Sequence, residues 1–267
     1  MPESTSSLPG LPRRFNSPGF LAFTLYLAGA LLLAVSVTGV GVSPIELVSG
    51  IPHIVRILSE MVPPDVSRLP AITRSLLETF QMAVVGTAFG IALSCPLAIL
   101  ASWDHTPHLT LYHGARWLIS LFRTVPDLVW ALLFVASVGL GPFAGALAIM
   151  VDTTGFCGRF FAEAMEEVDR GPQEALQALG ADRFAVIACA VLPAALPSLI
   201  NTSLFSLEKA TRSSVVLGLV GAGGIRMELK TAMDMFRYDQ AATTILLIFA
   251  LVIGVERISA MVRRRVL

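Results

Sequence analysis

Charge is what this sequence has least of. Only 14% of its 267 residues are charged, against roughly 25% in a soluble domain. Lysines and arginines balance the acids at 19 each, so no electrostatic argument points to nucleic acid. Cysteine is equally scarce. Cys95, Cys157 and Cys189 lie in apolar surroundings with no C-x-x-C pair, which argues against a disulfide framework or a zinc site and for buried small hydrophobes. His53, His105, His108 and His113 show no Glu-flanked metal spacing, and His105 and His108 are expected in a solvated cytoplasmic turn. Neither H-E-x-x-H nor G-x-S-x-G occurs, so no catalytic residue and no metal ligand is assigned.

What the sequence does have is apolar length. With 55% hydrophobic residues and a mean hydropathy of +0.74, it reads as an all-α polytopic membrane protein. Six spanning helices fit the apolar runs: Phe20–Val42, Ala71–Ala101, Leu111–Gly139, Phe143–Ala162, Arg183–Leu207 and Ala241–Ala260. Residues 1–19 form a Ser- and Pro-rich tail ending shortly after Arg13-Arg14. Arg-Arg before an apolar run also fits a cleavable signal. The span-length run at 20–42, with no A-x-A-like site closing it, favours a retained first helix instead. Residues 43–70 carry apolar positions partly at helical period, interrupted by Pro44, Pro52, Pro63 and Pro64, and predict a short amphipathic helix on the external interface. Residues 71–260 read as one transmembrane domain and 261–267 as a second cytoplasmic tail.

Arg13-Arg14 before the first run and Arg263-Arg264-Arg265 after the last favour both termini in the cytoplasm. That topology makes 163–182 a cytoplasmic loop. It also makes Lys209–Arg237 an external segment, although that segment holds Lys209, Arg212, Arg226, Lys230 and Arg237. The cytoplasmic loop is acidic: Glu163, Glu166, Glu167, Asp169, Glu174 and Asp182 stand against Arg170. Gly171-Pro172 is expected to break the entering helix and start a new one, because Pro at a helix start loses no bond. Residues 173–179 make about two turns, and Gly180 suits the left-handed position that stops them. Leu176 and Leu179 fall three apart on one face, giving an apolar knob with an acidic rim.

Glu174-Ala175-Leu176, Gly180 six residues after the Glu, and Leu192-Pro193 beyond them resemble the EAA loop of ATP-binding-cassette (ABC) importer permeases. Longer strings are similar to one family, the phosphonate importer permeases (PhnE family). They are Glu78-Thr79-Phe80-Gln81-Met82-Ala83, Arg123-Thr124-Val125-Pro126-Asp127-Leu128-Val129-Trp130-Ala131, Val138-Gly139-Leu140-Gly141-Pro142-Phe143-Ala144-Gly145 and Val216-Leu217-Gly218-Leu219-Val220-Gly221-Ala222-Gly223-Gly224-Ile225. The resemblance implies a type I importer permease in a bacterial plasma membrane. ABC ATPase subunits would dock on the loop at about 163–193 through Glu163, Glu167, Pro172, Glu174, Ala175, Leu176, Leu179, Gly180, Leu192 and Pro193. A second permease, of the same chain or a paralogue, would complete the path. An external binding protein would deliver a phosphonate or a related oxyanion such as phosphite or phosphate. ATP and Mg would be bound by the ATPases, and no cofactor by this chain.

An anionic cargo needs donors and positive potential at bilayer depth. Arg123, Thr124 and Asp127 are one candidate group, since Pro126 frees backbone beside them. Lys209, Thr211, Arg212, Ser213 and Ser214 are the other. Each arginine has a structural alternative: Arg123 paired with Asp127, and Arg212 with Glu208. Asp152 reads either as a hydrogen-bonded structural carboxyl or as a proton relay; the latter, with Asp127, would suit a secondary carrier.

Overall fold

The computed structural model describes residues 19–41, 43–218, 221 and 223–266. Most of the expected N-terminal tail, including Arg13-Arg14, and Leu219, Val220 and Ala222 of the glycine-rich string lie outside them. The chain divides into two compact units, 1–56 and 57–267. In the first, α1 (Phe20–Val40) is apolar all round and exposes nearly every side chain, as a helix facing lipid does. Gly41 ends it at a φ of 67°, its amide reaching back to Thr38 O. The following segment was expected to be broken by its prolines. Instead α2 (Pro44–Glu60) begins on Pro44 and continues through Pro52, where the proline removes one internal bond without ending the helix.

The second unit contains α3 (Leu69–Ala101), α4 (Leu109–Thr124), α5 (Asp127–Val138), α6 (Pro142–Glu166), α7 (Arg170–Ala178) and α8 (Arg183–Val186). A π-helical turn over Ile187–Val191 then leads into α9 (Leu192–Leu217), followed by α10 (Ile225–Asp234) and α11 (Tyr238–Val266). All elements among the described residues are helical. Against the six spans expected, four helices are long and apolar enough to cross a membrane: Phe20–Val40, Leu69–Ala101, Arg183–Leu217 and Tyr238–Arg265. A fifth is reached if α4 and α5 count as one bent span. The helix α6 does not meet that test. It carries Asp152, Arg159, Glu163 and Glu166 yet is buried along most of its length, so neighbouring helices rather than lipid cover it.

Two further expectations are corrected. The third span is not one helix, because α4 and α5 meet at 91°. Pro126 forces Val125 into extended backbone (φ −83°, ψ 120°), as a residue before proline requires. The supposed external segment 209–237 begins too early: α9 continues to Leu217, so Lys209 and Arg212 lie inside a span.

The bundle is built around α3 against α6. Gly86 and Gly90 let the two backbones approach, and small residues at such crossings are how helices pack without a hydrophobic drive from solvent. Ser94 Oγ, buried, donates to Gly90 O at 2.7 Å and lies 3.2 Å from Thr154 O across the crossing. A Cβ at Gly90 would stand 2.5 Å from Thr153 Cβ and 2.9 Å from Met150 O. Gly90→Ala is therefore expected to destabilise the solubilised protein by ~1–3 kcal/mol through overpacking, read as a lowered thermal-aggregation midpoint. Gly114→Ala, where a Cβ meets open space, serves as the control.

The two ends of this unit are held differently. At one, Gly141 N–H donates to Gly221 O at 3.0 Å and Ile225 N–H to Thr79 Oγ1 at 2.8 Å. There Asp65 also ties the segment before α3 to the start of α11. Its amide donates to Asp239 O at 3.2 Å, and its carboxylate accepts from Gln240 at 3.0 Å and from Ser67. Hydrogen bonds from the Gln240 and Ser67 side chains hold the Asp65 carboxyl down at about 2. The other end carries the acidic loop.

Candidate functional site

The loop helix α7 has a self-contained set of start and stop signals. Asp169 precedes it and accepts from Gly171 N at 3.2 Å, the N-cap role that short acids fill. The helix begins at Arg170, so the break falls at Glu167–Asp169 rather than at Gly171-Pro172. Pro172 sits inside the first turn, where its lost donor still costs no bond. Gly180, at a φ of 85°, closes the other end. Its amide reaches Gln177 O at 2.9 Å and the amide of Ala181 reaches Leu176 O at 3.0 Å, a complete Schellman closure. Asp182 then caps α8, accepting from Ala185 N at 2.8 Å. The π turn over Ile187–Val191 follows and ends at Leu192-Pro193. Pro193 cannot donate to the carbonyl four residues back, and the Leu192 amide reaches five residues back, to Ile187 O.

The apolar knob is divided. Leu176 packs on the chain's own core with Leu192, beside Met165, Val186 and Val191, whereas Leu179 is 84% exposed. Phe184, which the sequence reading passed over, is 80% exposed. Glu167, Pro172, Glu174, Ala175 and Pro193 are also exposed. Among the described residues Glu174 meets no cation of its own chain. Glu163 points elsewhere: it lies in the last turn of α6 and pairs with Arg159.

A polar network braces this loop against the turn between α3 and α4. Arg116 reaches Glu166 at 2.8 and 3.1 Å and Ala101 O at 3.0 Å; Trp103 N–H donates to the same carboxylate at 2.7 Å. Arg170 of the loop helix pairs with Asp104 at 2.9 Å. His105, expected in solvent, is buried, with Nδ1 2.8 Å from Ser102 Oγ. Of the cysteines expected inside, Cys157 is buried and Cys95 half-buried, but Cys189 is exposed on the π turn.

The two groups of path residues come together only in part. Lys209 reaches across from α9 to both oxygens of Asp152 on α6, at 2.9 and 2.8 Å, and lies 5.0 Å from the Phe156 ring. Arg123, at the end of α4, lies 6.0 Å from the ring of Phe160. Phe156 and Phe160 pack at 4.8 Å, so both cations rest on one aromatic cluster. Neither arginine takes its local partner. Asp127 accepts from its neighbour Leu128 N at 2.9 Å, and Arg123 has no carboxylate among the described residues. Arg212 pairs with Glu256 on α11 at 2.8 Å, and Glu208 with Arg263 at 3.0 Å. The hydroxyls are mostly spoken for: Thr124, Thr211 and Ser214 donate to carbonyls of their own helices. Ser213 is half-buried. Asp152 is held by the Lys209 ammonium on both oxygens.

Residues 94–267 match the model of the binding-protein-dependent transport system inner membrane component. The chain belongs to that family. It is 36% identical over 236 residues to the phosphite transport system permease protein PtxC of Stutzerimonas stutzeri, covering 88% of this chain and 86% of that one. It is also 36% identical, over 99% of its own length, to the phosphate-import permease protein PhnE of Mycolicibacterium smegmatis; it spans about half (48%) of that longer relative. Its fold is similar to the MetNI methionine ABC transporter in inward-facing conformations, with a TM-score of 0.67 at 25% identity, covering 76% of this chain and 99% of that one. The protein is thus a multi-pass ABC-importer permease, a transport subunit.

Proposed function

We propose that this permease carries a phosphorus oxyanion, phosphonate, phosphite or phosphate, across a bacterial plasma membrane with both termini in the cytoplasm. The observation that carries this reading is its identity, across most of their length, with permeases named for phosphite and, across its own length, with one named for phosphate. Two ATPase subunits bind the loop at 163–193 of this chain and of a second permease, either another copy or a paralogue. They hold ATP and Mg, while this chain binds no cofactor. An external binding protein delivers the anion. The exposed Leu179 and Phe184, with Glu174 unpaired among the described residues, support the docking role, because an apolar anchor with a charged rim is what a partner groove recognises. Rocking of the permeases, driven by ATP in the partners, then opens the path to either side in turn.

The proton-carrier alternative is disfavoured by Asp152, which Lys209 occupies. Proteoliposomes holding the permease, its ATPase and its binding protein are expected to take up labelled phosphite or methylphosphonate only with ATP inside the ATPase compartment. A protonophore should leave uptake unchanged. Uptake that survived removal of the ATPase and collapsed with the proton gradient would overturn the reading.

A further inference from the structure

We propose that a cleft between α6 and α9, closed by Arg263 of α11, is the transit site for the tetrahedral oxyanion; this rests on the oxyanion reading above. The cleft holds about 340 Å³, at the small end of the range for small-molecule sites. Its apolar walls are the rings of Phe156, Phe160 and Phe205. Its polar groups are Ser198, Asn201 and Thr202, which follow one another at helical spacing along a single face of α9, and Arg263 opposite them.

Three features mark these groups as kept for a ligand. First, Ser203 and Thr211 on the same helix donate to Leu199 O and Leu207 O, whereas the side chains of Ser198, Asn201 and Thr202 make no hydrogen bond among the described residues. Second, Arg263 uses one terminal nitrogen on Glu208, at 3.0 Å, while its Nε is buried with no partner. A guanidinium offers parallel donors suited to two oxygens of one phosphorus centre. Third, the surroundings are cationic. Lys209, Arg212 and Arg263 are matched by Asp152, Glu256 and Glu208 in three ion pairs, whereas Arg123, over Phe160, pairs with no carboxylate among the described residues. An unpaired arginine in such a bundle faces a water-filled path rather than lipid. Hydroxyls, one amide and a half-committed guanidinium give weak, exchangeable contacts, which suits passage rather than storage. An entering anion competes with Glu208 for the Arg263 guanidinium and leaves as that pair re-forms.

The test uses the complete transporter in proteoliposomes with labelled methylphosphonate and phosphite, reading anion imported per ATP hydrolysed. R263Q and the isosteric T202V are each expected to lower that ratio, R263Q by at least about tenfold, with the complex recovered in wild-type yield. The double variant E208Q/R263Q is expected to stay as low as R263Q. Recovery in the double variant would make the pair a structural brace and overturn the site, as would a T202V/N201L variant that imports normally. If the wild-type transporter imports neither probe, the oxyanion reading itself falls, and this assignment with it.

Discussion

Glu174→Arg is expected to abolish recovery of the ATPase subunits with the permease. Glu174 is exposed on α7 and its side chain bonds to nothing in its own chain among the described residues, so the loop helix, closed by Asp169 and Gly180, should fold unchanged. The cost then falls wholly on the partner. Loss of an anchor charge at the centre of a docking helix is worth ~2–4 kcal/mol, and reversal adds repulsion, so affinity should drop at least about a hundredfold. Phe184→Asp, which removes the exposed ring on α8, should act in the same direction. Co-purification in detergent reads both. Unchanged ATPase yield in both variants would place docking elsewhere.

The second large effect concerns Asp152 and Lys209. Lys209→Met leaves Asp152, whose side chain is only 19% exposed, without its counter-charge. Breaking one side of such a pair costs ~3–5 kcal/mol when fully buried; Lys209 is 36% exposed, so the low end applies. Asp152→Asn/Lys209→Met should recover most of the loss, because two neutral groups need no compensation. The thermal midpoint of the purified permease distinguishes the cases. Equal midpoints for wild type and Lys209→Met would show that the pair contributes nothing to stability.

How much of this was legible beforehand varied with the distance over which the cause acts. In the acidic loop the short helix and its stop at Gly180 were legible, since Pro172 and Gly180 act on backbone within a turn of themselves, whereas Asp169 and Asp182 were read only as acidic residues and not as caps. Even there, the helix start came out two residues late, because Asp169 rather than Pro172 sets it. Pro126 was recognised as a breaker, but nothing local could give the 91° between α4 and α5. Leu176 and Leu179 looked like one patch, and only the packing of Leu176 on Met165 and Val191 leaves Leu179 to a partner. The ion pairs were the least legible. Arg212 with Glu256, Lys209 with Asp152 and Arg263 with Glu208 join residues 44 to 57 apart, while helical spacing had offered Arg212 a nearer acid.

The amino-acid sequence by itself determined that this chain is helical, lives in a membrane, and carries a capped acidic loop, because hydropathy and capping are short-range properties of the chain. Only the tertiary structure decided which charges neutralise one another, which apolar side chains stay free, and where a polar cleft opens. Those outcomes depend on the close approach of α3 and α6 through Gly86 and Gly90 and on which face α9 turns to each neighbour, and no local pattern encodes either.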